Sequence, residues 1–185
     1  MNEKNCGCEH DFTLVLADPI ELTDEIECAL YDAGCDDATI SVRAGRLFIT
    51  FSRVGESLKA AILTAIENVR KANIGTDVLR VDYCNLVTQA DIARKIGRTR
   101  QMVHQYIIGV RGPGGFPPPA CEICDGQFLW FWCEVAFWLW ENSMVKEDVL
   151  RDAEEVEVIN NVLEFHRQKK RNSVLTQEVV DSVTQ

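Results

Sequence analysis

The sequence predicts a mixed α+β protein in three parts: a βαββαβ domain, a small helical module with a hairpin, and a C-terminal helix. Apolar residues before position 84 switch repeatedly between the spacing of strands and the spacing of helices. Two short helical patterns then flank Gly97, and a stretch rich in proline and glycine follows them. With 46% apolar and 26% charged residues over 185 positions, the composition is that of a folded globular protein.

The first domain, residues 10–84, has elements in the order strand, helix, strand, strand, helix, strand. We predict strands over 12–17, 38–43, 46–52 and 78–83, a helix between Pro19 and Gly34, and a second helix from Ser57 to Asn73–Gly75. Ala44-Gly45 suits a tight hairpin between the two middle strands. Right-handed crossovers then give a four-stranded sheet with both helices on one face. This is ferredoxin-like topology, which serves many unrelated functions.

A helix-turn-helix begins the second domain, residues 86–142. Thr88 caps the first helix, and Asp91 three residues later completes a capping box. Gly97 makes the turn, Thr99 caps the second helix and Gly109 ends it. The residues whose helical spacing predicts an inward orientation are Ile92, Ala93, Ile96, Val103, Tyr106 and Ile107.

A β-wing is predicted after the two helices. Prolines and glycines over 110–119 exclude a helix there and predict an extended loop. Asp125-Gly126 then suits the tip of a hairpin between strands at 120–123 and 127–131. The two helices and this hairpin together predict a winged helix-turn-helix.

The rest of the chain is predicted to be helical. A helix from Trp132 carries Val135, Trp138 and Leu139 inward, and we assign the four tryptophans between 130 and 140 mainly to core packing. An amphipathic helix follows over 146–171. We expect residues 172–185 to form a flexible tail.

Charge is distributed unevenly along the chain. The 19 Lys and Arg against 29 Asp and Glu give a net charge of -10, which argues against a protein that coats nucleic acid over its whole surface. Residues 1–84 hold 8 basic and 15 acidic side chains. Residues 85–120, here called the basic segment, hold 5 basic side chains and only Asp91 as an acidic one. The sequence therefore places one compact cationic region in an anionic protein.

The sequence also argues against a membrane protein, a secreted protein and an enzyme. The most apolar run, 128–139, is 12 residues long and contains Glu134, whereas a membrane span needs about 18 apolar residues. The N-terminus lacks the apolar core of a signal peptide, so we expect a cytoplasmic protein with reduced cysteines. No Ser/His/Asp arrangement, phosphate-binding glycine loop or HExxH motif is present. We therefore expect neither catalysis nor a membrane partner.

Three motifs carry a resemblance to known DNA-binding domains: VTQADIARKIGRTRQMVHQYI, RGPGGFPPP and LWFWCEVAFWL. Residues 87–139 resemble the winged helix-turn-helix domains of the MerR and excisionase kind, and residues 10–140 are similar to an uncharacterised family of bacterial helix-turn-helix regulators. The resemblance implies binding to DNA. The sequence departs from the pattern at Phe131, where such domains often carry a basic residue, and the second half of the wing is acidic.

The second helix of the helix-turn-helix has the side chains that a major-groove reader needs. Long donors and acceptors near its N-terminus can meet base edges, and each bidentate pair discriminates by about 1–3 kcal/mol. We predict that the base-reading residues are Arg100, Gln101, His104 and Gln105. The residues predicted to contact the DNA backbone are Gln89, Arg94, Lys95, Arg98, Thr99 and Arg111.

These residues predict sequence-specific binding of double-stranded DNA by a transcriptional regulator. We expect a homodimer, because one recognition helix alone rarely gives useful affinity, and a protein partner or ligand at the acidic first domain. The alternative is a protein-interaction adaptor or an antitoxin that acts through the N-terminal sheet or the C-terminal helix. No cofactor is expected in either case.

The cysteines leave two further possibilities open. Soft metal ligands occur in two groups, Cys6-x-Cys8-x-His10 and Cys121-x-x-Cys124, and they would suffice for a tetrahedral zinc site if they came together. Oxidation of thiols in the wing would instead alter docking onto DNA. We expect no metal, because nothing in the sequence places the two groups side by side.

Overall fold

The structure is a computed structural model that describes residues 7–82, 85–123 and 126–184. It confirms the mixed α+β class. The chain divides into two compact units, which are described separately: Met1–Tyr83 with Val158–Gln185, and Cys84–Glu157. Among the described residues, no helix is both long enough and apolar enough to cross a membrane.

The first unit contains a four-stranded antiparallel sheet. Its elements are β1 (Cys8–Leu16), α1 (Asp24–Asp32), β2 (Ala38–Arg43), β3 (Arg46–Gly55), α2 (Leu58–Lys71) and β4 (Val78–Val81). The strand order across the sheet is β2-β3-β1-β4, and every neighbouring pair is antiparallel. This element order agrees with the order predicted from the apolar spacing.

β1 begins four residues earlier than the sequence pattern suggested. It pairs with β3 over almost its whole length, in a register that starts at Cys8 opposite Gly55 and continues to Val15 opposite Phe48. Residues 8–11 carry mostly polar side chains with no buried face, so they lack the alternation by which a strand is recognised.

Alternate residues of the two central strands form the core of the first unit. Phe12, Leu14 and Leu16 of β1 are buried. Leu47, Ile49 and Phe51 of β3 are buried too, and the Phe12 and Phe51 rings stack with 5.2 Å between their centroids. α2 packs on β1, β3 and β4 through an apolar face made of Leu58, Ala61, Ile62, Ala65, Ile66 and Val69. One face of the sheet is therefore closed by helix, as the alternation predicts.

A buried charge sits beside this core. The Arg53 side chain is 9% exposed, and its guanidinium donates to both carboxylate oxygens of Asp37 at 2.7 and 2.8 Å and to the Gly34 carbonyl at 2.7 Å. Hydrogen bonding by Arg53 is the main reason why the pKa of the Asp37 carboxyl lies below its ordinary value. The Asn68 amide also donates to the Gly34 carbonyl, so the end of α1 is joined to both β3 and α2.

The second unit is built around a smaller, three-stranded sheet. Its elements are β5 (Leu86–Val87), α3 (Gln89–Lys95), α4 (Arg100–Ile107), β6 (Cys121–Ile123), β7 (Gln127–Phe131), α5 (Trp132–Glu141) and the first part of α6 (Glu147–Arg171). The strand order is β5-β7-β6, with antiparallel pairs. β5 was not predicted, because two residues are too few to show a period.

Aromatic residues form much of the core of the second unit. Trp130, Trp132 and Trp138 are each at most 5% exposed, whereas Trp140 is 39% exposed. The expected inward residues Val135 and Leu139 of α5 are fully buried. The packing role assigned to the tryptophans therefore holds for three of the four.

The C-terminal region differs from its prediction in two ways. The helix predicted as a module of its own is instead shared, since residues 158–171 of α6 belong to the first unit. There, the Asn160 amide accepts from the Val81 N–H at 2.8 Å and donates to the Val81 carbonyl at 3.2 Å, which satisfies backbone groups at the edge of β4.

The tail that was predicted to be flexible over 172–185 is helical over most of its length, since α7 (Ser173–Val183) begins two residues after the end of α6. Asn172 caps it by accepting a hydrogen bond from the Leu175 N–H at 3.1 Å. None of its side chains is buried. The prediction relied on the position of this segment at the end of the chain and overlooked the capping residue.

The Arg53–Asp37 pair can be tested by substitution. Asp37→Ala would leave a buried guanidinium without its carboxylate, so we expect the free energy of unfolding of the first unit to fall by about 3 kcal/mol. Arg80→Ala is the matched control, because the Arg80 side chain is 45% exposed and its pair with Asp82 is worth about 1 kcal/mol or less. Urea unfolding followed by far-ultraviolet circular dichroism measures both, and equal losses would contradict the assignment.

The same pair predicts a pH dependence of stability. Because the folded-state pKa of Asp37 is lowered, the pair stabilises the protein above the ordinary aspartate pKa of about 3.9, and the contribution is lost as the pH falls through the folded-state value. The stability difference between wild type and Asp37→Asn should therefore shrink below about pH 4. A difference that stays constant down to pH 2 would refute this prediction.

Candidate nucleic-acid interface

The two helices of the basic segment are fixed at their N-termini. The Thr88 hydroxyl accepts from the Asp91 N–H at 3.2 Å, and the Asp91 carboxylate accepts from the Thr88 N–H at 2.9 Å, which completes the predicted capping box. The Thr88 hydroxyl also donates to the Asp91 carboxylate at 2.6 Å. This bond and the one from the Thr88 N–H are the main causes of the lowered pKa of Asp91. Thr99 caps α4 by accepting from the Met102 N–H at 3.2 Å, and Gly97 turns the chain between the helices with a φ of 62°.

α4 has one buried and one exposed face. Val103 and Tyr106 are buried, and the Tyr106 ring lies 5.6 Å from the Trp138 ring, centroid to centroid. Of the predicted base-reading residues, Arg100, Gln101 and His104 are exposed and Gln105 is half-buried. The packing of α4 therefore points the predicted base-reading face to solvent.

A concave surface that encloses a volume of about 630 Å³ lies at the N-terminal end of α4. It brings together five of the predicted DNA-contacting residues: Arg98, Thr99, Gln101, Gln105 and Arg111. The Arg111 N–H donates to the Gln105 carbonyl at 3.1 Å, which joins the loop after α4 back to the helix. Met102 lines the same surface and was not predicted, since its spacing assigns it to neither face. Arg100 and His104 lie outside it.

Three predicted backbone-contacting residues make contacts within the unit. Arg94 forms an ion pair with Asp91 on the same helix, and its side chain is 77% exposed. The Lys95 ammonium lies 4.8 Å from the centroid of the Trp132 ring. The Gln89 amide donates to the Arg100 carbonyl at 2.7 Å and so connects α3 to the start of α4. For these three residues, the predicted contact with phosphate stays a prediction.

The loop after α4 is held by aromatic side chains. The Trp138 indole N–H donates to the Gly114 carbonyl at 2.9 Å, and that of Trp130 donates to the Pro117 carbonyl at 3.2 Å. Phe116 contacts the edge of Trp138, with ring centroids 5.0 Å apart. The extended conformation predicted for 110–119 is therefore fixed against the core, and Arg111 emerges from an anchored segment.

The hairpin that the sequence predicts to be a wing contains no Lys or Arg. Residues 112–145 include no Lys or Arg, and Glu122 of β6 is exposed. Phe128 and Phe131 of β7 are 42% and 38% exposed. Phosphate contacts depend on positive charge, and the Lys and Arg residues between positions 85 and 145 lie on α3, in the turn, at the start of α4 and at Arg111.

Two thiols are chemically protected by their surroundings. Burial raises the pKa of the Cys133 thiol to about 12, and its hydrogen bond to the Glu157 carboxylate adds to the rise. Burial likewise raises the pKa of Cys35 to about 11, although the charge of Arg53 opposes it. Cys8, Cys28 and Cys121 are exposed.

The structure describes only three of the five possible metal ligands, Cys8, His10 and Cys121. Cys6 and Cys124, two of the five possible ligands, lie outside the described residues. Within the described ranges, no group of three or more His, Cys, Asp or Glu side chains is placed to hold a metal ion.

Alkylation should separate the two classes of cysteine. Because the thiolate is the reactive form, iodoacetamide at pH 8 should modify Cys8, Cys28 and Cys121 in the native protein well before Cys35 and Cys133. Peptide mass spectrometry of timed samples measures the order. Equal labelling of Cys133 and Cys121 under native conditions would show that the burial of Cys133 is wrong.

Two glycines of the loop form a matched pair for testing its packing. Gly112 and Gly114 have φ values of 86° and 81°, so alanine costs about 1 kcal/mol of backbone strain at either position. A Cβ on Gly112 would also lie 3.1 Å from the Tyr106 ring, whereas a Cβ on Gly114 would meet no atom within 4 Å. We expect Gly112→Ala to lose about 1 kcal/mol more than Gly114→Ala.

Tryptophan fluorescence during thermal unfolding makes this comparison, because all four tryptophans lie between 130 and 140. Equal melting temperatures for the two variants would contradict the contact between Gly112 and Tyr106.

Comparison of the chain with models of known protein families, with curated proteins and with solved structures found no match in any of the three.

Proposed function

We propose that this protein binds double-stranded DNA in a sequence-specific way and acts as a transcriptional regulator, with α4 in the major groove. In this proposal the first unit is a ferredoxin-like domain and the second is a winged helix-turn-helix. The observation that carries the proposal is the orientation of α4, whose exposed face presents Arg100, Gln101 and His104 beside a concave surface that holds Arg98 and Arg111.

Base recognition would fall to the exposed side chains at the start of α4. Arginine pairs with guanine through two hydrogen bonds and glutamine pairs with adenine in the same way. Neither Arg100 nor Gln101 makes a side-chain hydrogen bond to another described residue, so binding to bases would break no contact seen in the described part of the chain. A major groove about 12 Å wide admits a single helix with these side chains.

Arg98 and Arg111 are the best candidates for contact with phosphate. Both line the concave surface, and neither guanidinium is paired with a carboxylate among the residues described. Thr99 at the same surface adds the N-terminus of α4, where N–H groups favour an anion. With about two to four phosphate contacts, the logarithm of affinity should fall with the logarithm of salt concentration at a slope of roughly -2 to -4.

The proposal includes pairing of two copies and a cytoplasmic location. Four side chains on one eight-residue helix give limited contact with a single half-site, and two-fold pairing doubles that contact. The acidic first unit would repel phosphate and so discourage binding of DNA elsewhere on the protein.

Selection of bound fragments from random duplex DNA tests the proposal. We expect the full chain to enrich a single motif at low salt. Arg100→Ala and Gln101→Ala should each weaken binding to that motif by about 10- to 100-fold and relax the preference at one position. Arg98→Ala should weaken binding to all sequences similarly and make the salt slope shallower by about 1.

Arg80→Ala is the matched control, since it removes an exposed arginine from the first unit and should leave the motif and the affinity unchanged. Absence of an enriched motif at low salt would refute the proposal and favour the adaptor or antitoxin alternative. A motif that survives both Arg100→Ala and Gln101→Ala would show that α4 does not read it.

A further inference from the structure

A second concave surface, which encloses a volume of about 810 Å³, lies entirely within the first unit. It is bordered by the end of β1, the segment from Asn73 to Leu79, and the last turns of α6. We call it the α6 cleft. Five cationic side chains line it, Arg46, Arg70, Arg167, Lys170 and Arg171, against two carboxylates, Asp18 and Asp77. The cleft is therefore cationic although residues 1–84 carry a net negative charge.

Three of the five cations are held by the fold. Arg46 donates to the carbonyls of Leu16 and Ala17 at the end of β1. Arg70 pairs with Asp77 at 2.9 Å, and Arg167 pairs with Glu164 on α6 at 2.6 Å. These contacts fix the three guanidinium groups around the cleft and neutralise one of its two carboxylates.

The other two cations have no such partner. Neither Lys170 nor Arg171 makes a hydrogen bond or an ion pair with any residue that the structure describes. The charge of Lys170 still reaches the cleft. Partial burial on its own would raise the pKa of Asp77. Hydrogen bonds from Arg70 and from the Val78 N–H lower it, and so do the charges of Arg70 and Lys170. These effects outweigh burial, so the pKa of Asp77 lies below its ordinary value.

The cleft also has the mixed lining of a small-molecule site. Val78 and Leu163, both buried, form apolar parts of its wall, and Thr76, His166 and Asn73 add polar groups. Its volume falls within the range of about 300–1,000 Å³ that is typical of ligand pockets. The second carboxylate, that of Asp18, is hydrogen-bonded to Thr76. The Asp18 backbone N–H donates to the Thr76 hydroxyl at 3.1 Å, and the Asp18 carboxylate accepts a hydrogen bond from the same hydroxyl.

We propose that the α6 cleft binds a small anion that carries at least two negative charges, through Lys170 and Arg171. A ligand with phosphate or carboxylate groups has this chemistry, because both groups accept charge-assisted hydrogen bonds from ammonium and guanidinium donors. The inference concerns the first unit and does not depend on the proposed DNA binding of the second.

A simpler explanation for cations in the last turn of a helix is that they stabilise its carbonyl end. Lys169 shares that turn with Lys170 and Arg171 but does not line the cleft. It is therefore the control that separates a ligand site from a helix end.

Isothermal titration calorimetry of the full chain tests the proposal, with inorganic pyrophosphate and citrate as probes at constant ionic strength. We expect saturable 1:1 binding of at least one probe. The double variant Lys170→Ala/Arg171→Ala should weaken that binding by about tenfold or more, because it removes two charged donors. Lys169→Ala should change it by less than about twofold, and circular dichroism should show that both variants keep the helical content of the wild type.

Binding of pyrophosphate alone would show that the cleft recognises phosphate, and binding of citrate alone would show that it recognises carboxylate. Binding of both would show that it recognises negative charge in either group. Failure of both probes to bind would overturn the proposal, and so would an equal effect of Lys169→Ala. Displacement of a bound probe by random duplex DNA would also overturn it, since the cleft would then be a nucleic-acid surface.

Discussion

The geometry of the second unit depends on the packing around one indole, Trp138. Its ring contacts Tyr106 on the inner face of α4, with centroids 5.6 Å apart, and Phe116 from the loop, with centroids 5.0 Å apart. Its N–H holds the Gly114 carbonyl at 2.9 Å. One side chain of α5 therefore fixes both the rotation of α4 and the path of the loop, and these two decide which side chains face outward. A small unit needs such a residue, because a large aromatic side chain buries more area than any other.

Each of the two units has its own concave surface lined by cationic side chains. In the second unit, Arg98 and Arg111 lie on an open surface beside exposed side chains that we propose to read bases. In the first unit, Lys170 and Arg171 border a cleft whose other cations are already held by ion pairs or hydrogen bonds. An anionic background around each cationic site raises the contrast between that site and the rest of the surface, and it discourages non-specific contact with nucleic acid.

Structural features that depend on residues close together in the sequence were mostly predicted. Contacts between residues far apart in the sequence were not. The capping box of Thr88 and Asp91 and the cap at Thr99 were found because each involves residues three positions apart. The exposed face of α4 followed from its period.

Other features that the sequence did not predict have no local signal. β5 is too short for a pattern, and the tie between Gln89 and the Arg100 carbonyl requires the turn to be in place. The α6 cleft joins residues near positions 17, 76 and 170, which only the folded chain brings together. The register of α6 on the first unit through Asn160 is likewise a tertiary contact that spacing alone does not reveal.

The most direct test of the central claim, that the outward face of α4 meets DNA, is a titration of the ¹⁵N-labelled full chain with duplex DNA, followed by nuclear magnetic resonance. If this face meets DNA, the largest shift changes will occur at the amides from Thr99 to Gln105 and at the side-chain amide of Gln101. Shift changes confined to the first unit or to α7, or none at low salt, would contradict that claim.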